Sequence, residues 1–277
     1  MLRRFLYKKV SNLVFPNKGI THIKRDPKLI VSLTSYPKRI NVVPLVIDSL
    51  LRQSLKPDMV IIWLSEEEFP QREHSLPKRL RRYTKFGLHI KWCKNLKSYK
   101  KLIPALLEYP DDIIVTADDD IRYPENWLEA MYSAHLIHRN EIVCHYAYQP
   151  HFEEQTANAS PDIIKTSGPL TETQIIGTGG GALFPPHSLY DDTTNIEFFQ
   201  NISPHNDDYW IWAMAKLNNT PMRLVDNFVD NIVCIDGTQE SGLWQSTNQV
   251  ESGIEEFNNI IQKYQILKKE IPHRTNL

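Results

Sequence analysis

Asp118, Asp119 and Asp120 stand side by side at the end of a run of strand-forming residues, in the stretch IIVTADDDIRYP (113–124). Three adjacent negative charges repel one another and resist removal from water. A cation among them relieves both costs. Carboxylate oxygens suit a hard divalent ion such as Mg²⁺ or Mn²⁺, which commonly completes its shell on substrate phosphates. The implied chemistry is the handling of a phosphate-bearing donor. A solvated acidic turn or a helix-capping cluster is the plainer alternative, since Asp is a good N-cap. If strand geometry persists, alternate side chains share a face, so Asp118 and Asp120 converge while Asp119 points elsewhere. Asp120 is then the first candidate for a metal ligand. Asp118 would hold a ribose hydroxyl, a metal-bound water or the metal itself, with Asp119 on the donor side.

A second acidic pair, Asp207–Asp208, directly precedes the aromatic stretch YWIWAMA (209–215). One of the two is expected to cap the helix and the other to project into a cleft. A carboxylate partly buried beside aromatic rings has a raised pKa and suits a general base acting on a hydroxyl. Capping by both is the bland option. His205, two residues before the pair, joins Asp118 and Asp120 as a candidate metal ligand, and Trp210 is a candidate for acceptor contact. Arg39, Lys97, Lys100 and Lys101 are candidates to neutralise a diphosphate, Arg as a bidentate fork and Lys as a mobile point charge. Gly177-Thr178-Gly179-Gly180-Gly181 lacks the spacing of a P-loop or a dinucleotide fingerprint. Its backbone tolerates close ligand approach, so Gly179, Gly180 and Gly181 read as a floor for the acceptor sugar, or as a turn before ALF.

These residues need elements to bring them together. LIVSLTS (29–35) and MVIIWLS (59–65) are too continuously apolar for half-exposed strands and read as buried ones. LHIKWCK (88–94) is a third, shorter strand and IIVTA (113–117) a fourth. Pro44 opens an amphipathic helix bearing Val46, Ile47, Leu50 and Leu51; a second helix is expected over 100–109 and a third over about 125–138. This alternation predicts a mostly parallel central sheet with flanking helices, an α/β fold. In open sheets of this kind ligands bind at the carboxyl ends of the strands. The Asp triplet, Thr34–Arg39 and Ser65–Glu66 all fall there. The second half reads as a strand IVCHYAY (142–148), a polar loop over 149–173, a strand pair from MRLVD (222–226) and NIVCI (231–235), and a closing helix with Ile254, Phe257, Ile261, Tyr264 and Leu267 on one stripe.

Composition is that of a globular protein: 277 residues, 41% hydrophobic, 23% charged, formal net charge -1, which gives no reason to expect a nucleic-acid partner. The charge is unevenly placed. Lys78 to Lys101 holds ten Lys or Arg and no Asp or Glu, either a solvated basic face or one flank of an anionic ligand. Cys93, Cys144 and Cys234 have no metal-ligand spacing and lie in apolar strand-like segments, so buried free thiols and a reducing, cytoplasmic compartment are expected. In residues 1–15, Phe5, Leu6, Val10, Leu13 and Val14 alternate with Arg3, Arg4, Lys8 and Lys9. That pattern suits a basic amphipathic helix in peripheral contact with the inner face of a membrane; a helix docked on the domain or a disordered leader are the other readings. Residues 1–28 therefore stand apart from a single domain over 29–277, with a donor half (about 29–124) and an acceptor half (about 125–277).

LIVSLTSYPKRI, KSYKKLIPAL, TADDDIRYPENWL, GTGGGALFPP and NDDYWIWAMA, in this order, resemble bacterial nucleotide-sugar glycosyltransferases of the GT-A fold, similar to glycosyltransferase family two. The resemblance spans roughly residues 29 to 235 and implies a GT-A-like, Rossmann-like donor half joined to an acceptor half. It implies that Thr34, Ser35, Tyr36 and Arg39 line the nucleotide site, that Lys101 lies on the donor-binding helix, and that Asp118 and Asp120 form the DxD; recognition of the nucleobase is expected from backbone contacts around residues 34–39 and 65–66, which makes Ser65 a donor-side candidate. It also implies that the second member of the acidic pair, Asp208, is the base, with Asp207 as its alternate. The Gln-x-x-Arg-Trp signature of processive synthases is missing, so a single addition is expected. The activity so implied is Mn²⁺- or Mg²⁺-dependent, inverting transfer in a single addition, from a nucleotide-sugar donor to a hydroxyl of a glycan or glycolipid acceptor of capsule or lipopolysaccharide type. Two rivals stand beside it. A sugar nucleotidyltransferase would carry a Gly-rich loop after the first strand, where this chain has SYPKRI; a non-catalytic glycan-binding protein could use the same fold.

Overall fold

The computed structural model describes residues 18–150, 161–225, 233–238 and 247–266. Strand β1 (Leu29–Thr34) lies at the centre of the first half of the chain, flanked in parallel by β2 (Met59–Ser65) and β4 (Ile113–Ala117). All three are almost wholly buried, as their unbroken Val/Ile/Leu runs require when helices cover both sheet faces. β3 (Leu88–Cys93) forms the parallel outer edge on β2. Only Leu88 of it is buried, because an edge strand has one neighbour. Helix α1 (Val43–Leu50) starts on Pro44 and buries Val43, Val46, Ile47 and Leu50. It is followed by α2 (Lys78–Arg82) and α3 (Ile103–Glu108). The helix expected over 100–109 is thus split: Lys97–Lys101 form a 3₁₀ turn, and α3 begins only where Pro104 can occupy the first turn.

After β4 come the two-residue β5 (Ile121–Arg122), α4 (Trp127–Ile137) and β6 (Ile142–Cys144). Short strands β7 (Ala147–Gln149), β8 (Asp162–Ile163), β9 (Gly168–Pro169) and β10 (Ile175–Ile176) follow. Then come β11 (Ala182–Phe184), α5 (Ile196–Ile202), α6 (Asp207–Leu217), β12 (Met222–Leu224), β13 (Val233–Cys234) and α7 (Thr247–Tyr264). The main sheet has the order β3-β2-β1-β4-β11-β6-β12-β9. β11 runs antiparallel to β4, with Ala182 opposite Thr116. The glycine-rich loop before β11 therefore meets the carboxyl end of β4. This reversal sets the glycine-rich loop beside the Asp triplet.

Successive residues of β1 feed opposite cores, as the two-residue strand period demands. Leu29, Val31 and Leu33 pack with α1, Leu80 and Trp127, while Ile30 packs on the other face with Ile103, the apolar residues of α6, and Phe257 and Ile260 of α7.

Several expectations need correction. MRLVD and NIVCI do not pair: β12 lies in the main sheet parallel to β6, and β13 pairs with β5. A short strand takes whichever edge offers free backbone groups, and here those edges are far apart in sequence. Cys144 is buried, but Cys93 is part-buried on the edge strand and Cys234 is exposed on a two-stranded ribbon. The polar stretch 149–173 holds β8 and β9 among its described residues. Leu267 and the basic segment 1–15 lie outside the described residues. No helix among the described residues is long and apolar enough to cross a membrane.

Candidate functional site

The turn after β4 holds the Asp triplet, and each carboxylate meets a different set of partners. Asp119 turns inward. It accepts hydrogen bonds from Ser35 Oγ at 2.5 Å and Arg39 Nη1 at 2.9 Å. Burial still raises its pKa above the ordinary carboxylate range, against the pull of Ser35 and Arg39. The same Arg39 nitrogen lies 3.0 Å from Asp120 Oδ2, and Nη2 donates to the Thr238 carbonyl at 3.1 Å. Burial, then the charges of Asp118 and Asp119, push the Asp120 carboxyl up to about 6, with Arg39 offsetting only part of this. Asp118 is the most open of the three, its side chain 37% exposed, and pairs with Lys101 Nζ at 2.9 Å.

Lys101 joins this turn to the second acidic pair. Its ammonium is buried and lies 3.2 Å from Asp207 Oδ2. Burial works against its charge, but Asp118, Asp207 and Asp208 together outweigh burial and hold its pKa above the lysine range. The pair sits in the first turn of α6 because Asn206, not an aspartate, is the N-cap: its side chain accepts from the Tyr209 amide at 3.1 Å. Both carboxylates are therefore free to face the site, a correction to the expectation that one of them caps. Thr178 then distinguishes them. Its amide and hydroxyl approach Asp208 Oδ1 at 2.9 and 2.7 Å, and the same hydroxyl lies 3.0 Å from Asp207 Oδ2. One hydroxyl proton cannot serve two ionised carboxylates. Burial opposes ionisation of Asp207, but Lys101 holds its pKa below the ordinary value. Burial and the Asp207 charge raise that of Asp208. Two neighbouring carboxylates are thereby driven apart, one kept ionised and one poised to take a proton.

The glycine-rich loop is the third component. Tyr123 Oη donates to the Gly179 carbonyl at 2.6 Å and accepts from the Asp118 amide at 2.7 Å, pinning loop and triplet together. Trp127 Nε1 donates to the Gly180 carbonyl at 2.9 Å. Gly179 has no room for a side chain, since a Cβ would stand 2.0 Å from Asp118 Oδ2. Gly181 has φ +115 and packs on the Trp127 indole.

Asp118, Asp119, Asp120, Ser35, Arg39, Lys101, Asp207, Asp208 and Gly179 thus form one connected cluster at the carboxyl ends of the strands. Other candidates stand differently. Tyr36 is partly exposed beside Arg39, the guanidinium 5.7 Å from its ring. The Thr34 hydroxyl donates to the Trp63 carbonyl at 2.8 Å. Ser65 is fully buried and accepts from the amides of Glu67 and Glu68. Lys97 is exposed, at φ +53. Trp210 is 0% exposed and donates to the Thr193 carbonyl at 3.2 Å, so it belongs to the core and not to an acceptor surface. His205 meets Glu256 at 2.8 Å through Nδ1. Among the described residues no three His, Cys, Asp or Glu side chains gather as a metal cage, and His205 does not join Asp118 and Asp120 in one. The donor set on offer is those two carboxylates. Under-compensated negative charge on them fits a hard cation that takes few protein ligands and completes its shell on phosphate. Sequence reasoning did not single out Tyr123, Trp127, Thr178 or Asn206. The signal for Asn206 was its position, since Asn before Asp-Asp and an apolar run is itself a preferred cap.

No family model and no curated protein matches the chain. Solved structures do. Staphylococcus aureus TarS, residues 1–349, is 11% identical, with 86% of this chain and 72% of that one covered at a TM-score of 0.50. The mannosyltransferase PcManGT of Pyrobaculum calidifontis, solved with GDP-Man and Mn²⁺, is 16% identical, with 94% and 71% covered at 0.50. A 4-diphosphocytidyl-2C-methyl-D-erythritol synthase is 15% identical over 84% and 99%, at 0.49. At such identities the likeness concerns shape. The chain has the GT-A fold of these glycosyltransferase structures, as its sequence led us to expect.

Proposed function

We propose that this chain is a divalent-metal-dependent glycosyltransferase that moves a sugar from a nucleoside-diphosphate sugar to a hydroxyl of a glycan or glycolipid acceptor, with inversion at the anomeric carbon. The observation that carries the reading is the Lys101 bridge. One buried ammonium unites a carboxylate triplet suited to a metal and diphosphate with a carboxylate pair whose proton affinities have been driven apart. Asp118 and Asp120 are the residues that would hold Mn²⁺ or Mg²⁺. When bound, such an ion neutralises charge developing on the departing diphosphate.

The chain's own groups account for the rest. Residues 29–124 form the donor half, with Ser35, Tyr36, Arg39 and Lys101 around the nucleotide and Asp119 fixing Arg39. Residues 125–277 form the acceptor half, with the Gly179–Gly181 backbone as the sugar's floor. Asp208 takes the proton of the acceptor hydroxyl as its oxygen attacks the anomeric carbon. The carbon–oxygen bond to the diphosphate breaks on the opposite face, and the diphosphate leaves with the bonding pair. Asp207, ionised and held by Lys101, keeps Asp208 basic. An acceptor of the capsule or lipopolysaccharide kind and action in the cytoplasm, where nucleotide sugars are made available, belong to the same proposal. The fold similarity to a mannosyltransferase bound to GDP-Man and Mn²⁺ supports the donor class.

The direct test is Asp208→Asn with a panel of UDP- and GDP-sugars and Mn²⁺. Transfer should fall by about 10²–10⁴-fold, the usual worth of a positioned base, while calorimetric donor affinity stays unchanged. Undiminished turnover places the base elsewhere. Release of pyrophosphate from a nucleoside triphosphate would favour a nucleotidyltransferase, and absence of metal-linked nucleotide binding a non-catalytic glycan binder.

A further inference from the structure

The basic run from Lys78 to Lys101 is divided by the fold. Lys100 and Lys101 are buried, Lys100 against Glu68 and Lys101 in the acid cluster. The earlier part of the run faces outward. On α2 and the turn after it, Leu80 and Tyr83 take the buried side, leaving Lys78, Arg79, Arg81, Arg82 and Lys85 all exposed. From Leu76 to Leu107 the chain contains no Asp or Glu, and none of these five cations forms an ion pair with a described residue. Arg79 reaches only the Tyr83 hydroxyl. Phe86 is 42% exposed in the same turn. A chain of net charge -1 does not need such a block for solubility. Five like charges within eight positions repel one another unless something anionic faces them.

The entry of the chain bears on what that partner is. Lys18 Nζ lies 4.0 Å from the Tyr83 ring centroid and 5.2 Å from that of Phe86, and Ile20 packs on Gly87. The described chain thus begins at this same face, and residues 1–17 precede it in sequence. Their sequence interleaves Arg3, Arg4, Lys8 and Lys9 with Phe5, Leu6, Val10, Leu13 and Val14, an alternation suited to an interface between water and lipid. We propose that the α2 face docks on an anionic lipid surface, its cations over the headgroups and Phe86 at the boundary. A plane of headgroups attracts mobile point charges without demanding fixed geometry. Reading of nucleic acid uses amide and hydroxyl side chains as well. This face has no amide, and its one surface hydroxyl, Thr84 Oγ1, is spent on the Arg81 carbonyl. The proposal is independent of the donor chemistry.

Sedimentation of the full chain with phosphatidylcholine vesicles, with and without phosphatidylglycerol, tests it. The protein should partition onto the phosphatidylglycerol vesicles alone and be released by salt. A Lys78→Gln, Arg81→Gln, Arg82→Gln, Lys85→Gln variant should lose binding by about tenfold or more, given what each basic residue contributes near such a surface, with its melting temperature unchanged. Arg81→Lys, Arg82→Lys should bind as the parent does. Equal binding to neutral vesicles overturns the proposal. So does full binding by the four-fold variant, failure of the lysine variant, or tighter binding to a DNA or RNA duplex than to the phosphatidylglycerol vesicles at equal salt.

Discussion

Thr178 contributes a single hydroxyl proton to two carboxylates, and which of them receives it decides the chemistry of the pair. Burial and the Asp207 charge raise the proton affinity of Asp208, and the Thr178 amide and hydroxyl that approach it offset only part of the rise. A base works only when deprotonated, so turnover should fall as pH drops through the raised Asp208 value. Stability moves the other way. Because the folded state binds this proton more tightly than the unfolded chain does, stability declines as pH rises from the ordinary carboxylate range to that value. Thr178→Val removes the hydroxyl at nearly constant shape. The acid limb of kcat/KM should move to higher pH, with activity recovered above it and donor affinity unaltered. Stability should fall by about 1–3 kcal/mol from the lost buried hydrogen bonding. A pH–rate profile that does not move would show that Thr178 supports the loop alone.

At the scale of elements, the glycine-rich loop matters through what its lack of side chains admits. Gly179 lies where a Cβ would collide with Asp118 Oδ2, and its carbonyl is held by Tyr123. Gly179→Ala should displace Asp118 from Lys101 and weaken nucleotide binding measured with Mn²⁺ by about tenfold or more, with roughly 1–3 kcal/mol of overpacking strain. Gly237→Ala meets nothing within 4 Å but also sits at φ +82, so it should cost only backbone strain. Unchanged donor affinity in the Gly179 variant would separate the loop from the donor site. Helix α6 makes a complementary point. Its aromatic character was visible in YWIWAMA, yet Trp210 belongs wholly to the core, because it packs on Phe199 and Tyr264 rather than on a cleft. An aromatic residue after an acidic pair does not reveal which way the helix will roll.

For the whole molecule, the two halves of the chain meet at the end of β4, where antiparallel β11 begins at the glycine loop and where the start of α6 brings Asp207–Asp208 back onto Lys101 and Thr178. If nucleotide and cation bind at that junction, each should hold both halves in the folded state. Ligand at about a hundred times its Kd adds roughly 2.7 kcal/mol, several degrees of melting temperature for a chain of this size. GDP or UDP with Mn²⁺ should therefore raise Tm more than either alone, and Asp120→Ala should abolish the Mn²⁺-dependent part. An equal rise in that variant would exclude Asp120 as a ligand.

What the linear chain determined by itself was local: buried strands from unbroken apolar runs, their order, and the acidic and basic groups placed at their ends. Those features depend on side-chain period and charge over a few neighbours, so no partner from elsewhere is needed to recognise them. Only the tertiary structure decided how the charges pair. Lys101 meets both Asp118 and Asp207, Arg39 meets Asp119 and Asp120, Asn206 rather than an aspartate takes the cap, and His205 goes to Glu256. Apart from the local Asn206 cap, each pairing joins residues distant in the chain that strand pairing and helix packing bring close, and the desolvation that sets their proton affinities exists only once the two cores have closed around them.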